Sequence, residues 1–196
     1  MILSDRDIKK ALRDGHIRID PSPDLLEQLK VCSIDFHLGD TFRIFEYNKL
    51  PLIDPRQKTI IETVTREVHI VEGEQFIVHP GELVIAACQE WLEIDNTLVA
   101  RLEGRSSLAR MGIIVHSTAA RFDPGWTGRP VLELGNLGRI PVALYSGMGI
   151  CSFTFELLSS PAEISYQKQR GMKYAGQAGP VASKYHEEFK TEITSL

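Results

Sequence analysis

The chain has 196 residues, 43% apolar and 24% charged, enough for one sizeable core and more consistent with one domain than two. A net charge of −4, with no Lys/Arg run or basic stripe, argues against a nucleic-acid binder held by electrostatics. No apolar stretch reaches membrane-spanning length, and the polar opening MILSDRDIKK lacks the apolar segment of a secretion signal, so no membrane partner and a cytoplasmic location are expected.

Ser4 to Asp7 has the spacing of a capping box, and Ile8, Ala11 and Leu12 then recur at helical intervals until Gly15. A short amphipathic helix should open the chain. Beyond it the apolar period changes to two. Strands are expected over Thr41–Glu46, Arg66–Val71, Gln75–Val78, Glu82–Glu93, Leu98–Glu103, Pro130–Asn136, Ile140–Leu144 and Ile150–Leu157. Pro, Gly, Asp and Asn punctuate them at intervals suited to a sandwich or barrel. Ser106 to Met111 reads instead as a short helix after the Gly104 turn. Residues 171–196 change character, with Gly171, Gly176, Gly179 and Pro180 set among Lys173, Tyr174 and Gln177. Composition leaves a frayed end and a ligand-closing lid equally open. Cys32, Cys88 and Cys151 are odd in number and far apart, and read as reduced core thiols.

Three constellations carry chemistry. Arg105-Ser106-Ser107 opens the short helix, where N–H groups, hydroxyls and a guanidinium together suit an anion; a plain turn is the bland alternative. Arg110 follows Ser106 by four residues and can face the same space. Asp123-Pro124-Gly125-Trp126 is most simply a β-turn. Glu133 points, by strand alternation, opposite to Leu132 and Leu134, and is a surface charge if that face meets solvent but a candidate base if it meets a cleft. Other chemistries fall away. His186-Glu187-Glu188 has the letters of a zinc-deaminase H-x-E but no P-C-x-x-C follows, so no zinc is expected. Gly147-Met148-Gly149 lacks a third glycine, and there is no P-loop. His116 lies inside the key run, with a structural role as open as a site role.

Taken together, these segments resemble the dCTP deaminases of the dUTPase-like superfamily. The resemblance is carried by GRSSLAR at Gly104–Arg110, TAARFDPGW at Thr118–Trp126 and VLE at Val131–Glu133, in that order. MILSDRDI at Met1–Ile8, Ser33-Ile34-Asp35-x-x-Leu38-Gly39, His79-Pro80-Gly81-Glu82 and the later Tyr166, Lys173, Tyr174 and Gln177 extend it along nearly the whole chain.

That resemblance implies a mainly β fold, a distorted β-barrel or jelly-roll-like unit of dUTPase type with a few short helices. It implies one domain over residues 1–170 and a nucleotide-closing tail over 171–196, in a homotrimer with active sites between subunits. The substrate would be dCTP with Mg²⁺ carried on its triphosphate and no metal ligands from the protein; dTTP is a candidate effector. Arg105, Ser106, Ser107, Lys173 and Gln177 fall at triphosphate-contacting positions, and Asp123 and Tyr166 at other nucleotide contacts. Leu108, Ala109, Val131 and Leu132 complete the substrate-contacting set. Ser106, Arg110, the Ala119 backbone and Glu133 fall around the cytosine and the attacking water. Glu133 would be the general base, Ser106 and the Ala119 carbonyl would orient the water, and Arg110 would hold Glu133 ionised.

Members of the family stop at dUTP or continue to dUMP and diphosphate. Arg121 and Trp126 match the deaminase-only members, whereas bifunctional ones usually have Gly at the Ala120 position and Phe at the Trp126 position. The expected product is therefore dUTP. The rivals are a bifunctional deaminase–diphosphatase, a pure dUTPase, and a non-catalytic jelly-roll binding module.

Overall fold

The computed structural model describes residues 1–49, 51–57 and 63–191. The opening helix forms as expected: α1 spans Asp5–Asp14, the Ser4 hydroxyl accepts from the Asp7 N–H at 3.4 Å, and Gly15 ends it in the left-handed region at φ 81°. Ile8 and Ala11 are its buried face, docked on the β-layer.

Thirteen strands follow among the described residues: β1 Ile17–Asp20, β2 Ile34–Phe45, β3 Thr65–His69, β4 Gln75–Val78, β5 Leu83–Cys88, β6 Trp91–Ile94, β7 Leu98–Gly104, β8 Ile113–Ile114, β9 Arg121–Phe122, β10 Thr127–Gly128, β11 Val131–Asn136, β12 Val142–Tyr145 and β13 Gly149–Leu157. One α-helical turn, α2, covers Ser106–Ala109, and 3₁₀ turns cover Tyr166–Lys168 and Tyr185–Thr191. The large sheet runs β8-β11-β5-β2-β13-β7-β9, with β3 also paired to β2. It is curled, because the twelve-residue β2 pairs with β13 through its first half and with β3 and β5 through its second, across a register shift between Leu38 and Phe42. A second sheet, β1-β6-β10, ends on the two-residue β10, and β4 pairs with β12. All these pairings are antiparallel.

The curl encloses the core. Phe36, Phe42, Phe153 and Phe155 are fully buried, and Phe122 meets Trp126 and Phe153 edge-on at 4.7 and 5.1 Å. The mainly β class with few helices is as expected, with local corrections. The single strand expected over Glu82–Glu93 is two, because the Gln89-Glu90 bend turns the Glu90 carboxylate inward, where it accepts from the His37 N–H at 2.9 Å and pairs with His37 Nδ1 at 2.6 Å. The strand expected over Ile140–Leu144 starts after Pro141, which has no N–H to give the ladder. β1 and the two-residue β8, β9 and β10 are too short for periodicity to register. Cys88 and Cys151 are buried with their sulfurs 3.7 Å apart, and burial pushes the Cys88 thiol up, as befits core cysteines; Cys32, however, is exposed. Among the described residues no helix is long and apolar enough to cross a membrane.

Candidate active site

A cavity of about 430 Å³ opens on the face of the large sheet where β11 passes β5. Glu133 stands on its floor. Alternation along β11 drives Leu132 and Leu134 fully into the core, which leaves the glutamate on the opposite face. Its cross-strand partner is Ile85, an apolar neighbour that also lines the cavity.

Glu133 is half-buried, and desolvation raises its pKa above the usual carboxylate range. Two groups oppose that rise: the Ser117 N–H, which donates to Oε2 at 3.2 Å, and the nearby His116 ring. Within one chain these two, and not Arg110, are the groups that favour the ionised form. His116 Nδ1 is itself buried without a hydrogen-bond partner in the chain, an unmet polar atom beside a carboxylate in a cleft.

The Asp123–Trp126 turn forms a second wall. Gly125 takes φ 79°, the Trp126 N–H donates to the Asp123 carbonyl at 3.0 Å, and Trp126 is buried beneath the cavity. Asp123 reaches the cavity and is held by Arg121 at 2.7 Å. The same turn seats Tyr166, whose N–H donates to the Pro124 carbonyl at 2.8 Å. A Cβ on Gly125 would come within 2.5 Å of Ser165, so only glycine lets this segment dock. Burial raises the pKa of the Tyr166 phenol.

Tail residues between Tyr174 and Ser183 form the roof. The Gly176 N–H donates to the Thr127 carbonyl and the Arg129 N–H to the Gln177 carbonyl, both at 2.8 Å, so the tail lies along the free edge of β10. Further on, Arg43 Nε donates to the Pro180 carbonyl at 3.0 Å. Tyr174, Gln177 and Val181 thereby face the cavity.

Ala119, Asp123, Val131, Glu133, Tyr166 and Gln177 are thus gathered around one cavity, as a common site requires. Leu132 lies behind its floor, with no exposed surface. Lys173 does not line the cavity and is ion-paired with Glu188. Arg105, Ser106, Ser107, Leu108, Ala109 and Arg110 form a separate set that does not line it either. Here α2 ends two residues earlier than expected; Leu108 is buried, while Ser106, Ser107, Ala109 and Arg110 are exposed. In one chain the residues expected to surround a nucleotide therefore fall in two sets. Sequence reasoning missed Phe45, Leu83 and Ile85, apolar strand residues with no mark to distinguish them from core, and left Ser117 without a role. No group of three or more His, Cys, Asp or Glu that could hold a metal ion occurs among the described residues.

The dCTP deaminase-like family model matches residues 2–158. A Thermomicrobium roseum protein named dCTP deaminase is 55% identical over 192 residues, covering 98% of this chain and 98% of its own length. A Dictyoglomus thermophilum protein named dCTP deaminase, dUMP-forming, is 47% identical over 96% of this chain and 97% of its own. The crystal structure of 2'-deoxycytidine 5'-triphosphate deaminase from Agrobacterium tumefaciens superposes with a TM-score of 0.62 at 19% identity; it covers 80% of this chain, which spans about half (48%) of that longer chain. Shared fold, a family match over most of the chain and full-length relatives lead to one conclusion: the chain belongs to the dCTP deaminase-like family.

Proposed function

We propose that the protein hydrolyses the C4 amino group of cytosine in dCTP, releasing dUTP and ammonia, with the magnesium complex of dCTP as substrate. The observation that carries this reading is Glu133, a half-buried carboxylate of raised pKa on the floor of a cavity large enough for a nucleoside. Water attacks C4 while Glu133 takes its proton and passes one to N3; C4 becomes tetrahedral. A second transfer, to the exocyclic nitrogen, lets the C–N bond break with ammonia leaving, and the 4-oxo group of uracil remains. The Ala119 carbonyl and Ser106 hydroxyl orient the water.

The separation of Arg105–Arg110 from this cavity within one chain supports a homotrimer in which each α2 turn completes a neighbour's site. Arg105, Ser106 and Ser107 would then meet the triphosphate from across the subunit boundary, with Arg110 beside Glu133. Lys173 joins them by exchanging Glu188 for phosphate. Relatives named dCTP deaminase along the whole chain weigh against a non-catalytic binding module.

The product test is direct. Purified protein given dCTP and Mg²⁺ should yield ammonia and dUTP in equal amounts with little diphosphate, read by nucleotide chromatography. The second reading, onward hydrolysis to dUMP, is favoured by the dUMP-forming name of the Dictyoglomus relative; stoichiometric dUMP and diphosphate would establish it. dTTP in the same assay tests the effector role.

The raised pKa of Glu133 sets the acid side of the rate profile. Only the carboxylate can accept a proton from water. Single-turnover deamination should therefore fall as pH drops through the Glu133 titration, and Arg110→Ala, by removing the cation placed beside the carboxylate, should move the midpoint upward. A rate that does not fall toward acid pH would remove Glu133 from the rate-limiting proton transfer.

A further inference from the structure

We infer that Asp35 is a positioning residue for Arg105, and that Gly149 is the opening through which the two meet. The inference rests on the proposed placement of Arg105 at the triphosphate and goes beyond it by naming what aims that side chain. Asp35, on β2, is 8% exposed, and its Oδ2 stands 3.6 Å from Arg105 Nη2. Lys30 Nζ is 3.7 Å from the same oxygen. A carboxylate this buried needs a cationic partner, and Arg105, itself only partly exposed, is the one that lies in the proposed binding machinery.

Strand order makes the contact unusual. Arg105 follows the end of β7, and β13 lies between β7 and β2, so the guanidinium has to cross β13 to reach Asp35. It crosses at Gly149, next to the register shift between Gly149 and Cys151. A Cβ at Gly149 would fall 1.8 Å from Arg105 Nη1 and 3.1 Å from its Cζ. The Gly149 backbone is not left-handed, so alanine is compatible with the fold there. What an alanine would displace is the end of one flexible side chain. The glycine thus keeps a slot open for a guanidinium that the buried carboxylate draws in, which orders the side chain before phosphate arrives.

Asp35→Asn, Gly149→Ala and Arg105→Ala, singly and combined, would test this by steady-state kinetics on Mg·dCTP together with thermal melting. Arg105→Ala should raise KM strongly. Asp35→Asn and Gly149→Ala should each raise KM by about tenfold, as expected for directly coupled neighbours, with kcat within about twofold. In the Arg105→Ala background neither should add a further effect, since the group they act through is gone. If Arg105→Ala raises KM and the other two leave it unchanged, the inference is overturned while the placement of Arg105 stands. If Arg105→Ala leaves KM unchanged, both fall. A loss in Asp35→Asn confined to kcat and melting temperature, or one that persists undiminished without Arg105, assigns Asp35 a structural part and also overturns it.

Discussion

Glu133→Gln should lower single-turnover deamination of dCTP by about 10⁴-fold, the upper end for general acid–base assistance, because in the proposed mechanism one group handles successive transfers at water, N3 and the leaving amine. The glutamine keeps the shape and the acceptor for the Ser117 N–H but cannot take a proton from water near neutral pH. Affinity for dCTP should stay within about threefold, since the proposed phosphate contacts lie elsewhere. Thermal stability should hold or rise: burial makes the native charge a cost of folding, and the amide removes it. Deamination within about tenfold of the native rate would strike Glu133 from the mechanism. Joint loss of binding and rate would make it a structural carboxylate.

Deleting residues 171–196 should weaken dCTP binding by about 100-fold or more, which corresponds to about 2.8 kcal/mol. The truncation strips Tyr174, Gln177 and Val181 from the cavity roof and removes Lys173. Stability should change little, because the fully buried phenylalanines and the paired strands all lie before residue 158. Isothermal titration and circular dichroism on the truncated chain would check both halves. Equal affinity in the two proteins would end the reading of the tail as a lid, and loss of the fold would make it part of the core.

Much of this was legible from residue pattern. The capped helix, most long strands and the turn at Asp123–Trp126 follow from local rules, and α1 forms where its serine and glycine say it should. Glu133 was legible only in part. Alternation set it opposite Leu132 and Leu134, but which face is a cleft depends on Ile85 across the sheet and on the roof over forty residues later in the chain. Within one chain Arg110 does not line the cavity that holds Glu133. Both lie in one short run, yet Gly112 turns the backbone at φ 93° with its α-carbon packed against Gly138, and the run divides between an exposed helical turn and a cavity floor. Spacing in sequence carries no information about which copy of a chain a side chain serves. The Arg105–Asp35 contact was hidden for a related reason, since sheet order, not sequence distance, laid Gly149 between them.

The tail's course along β10 has a bearing on solubility. A free sheet edge is a template on which another chain can add a strand, and proteins with moving flaps risk exposing one each time the flap lifts. Here the uncovered edge is two residues long and contains Gly128, so an incoming strand finds few hydrogen bonds and little side-chain surface to pack on. If the tail lifts off β10 as a lid, it therefore exposes a poor template for strand addition, whereas a longer β10 would hold the tail more firmly only by making each opening more hazardous.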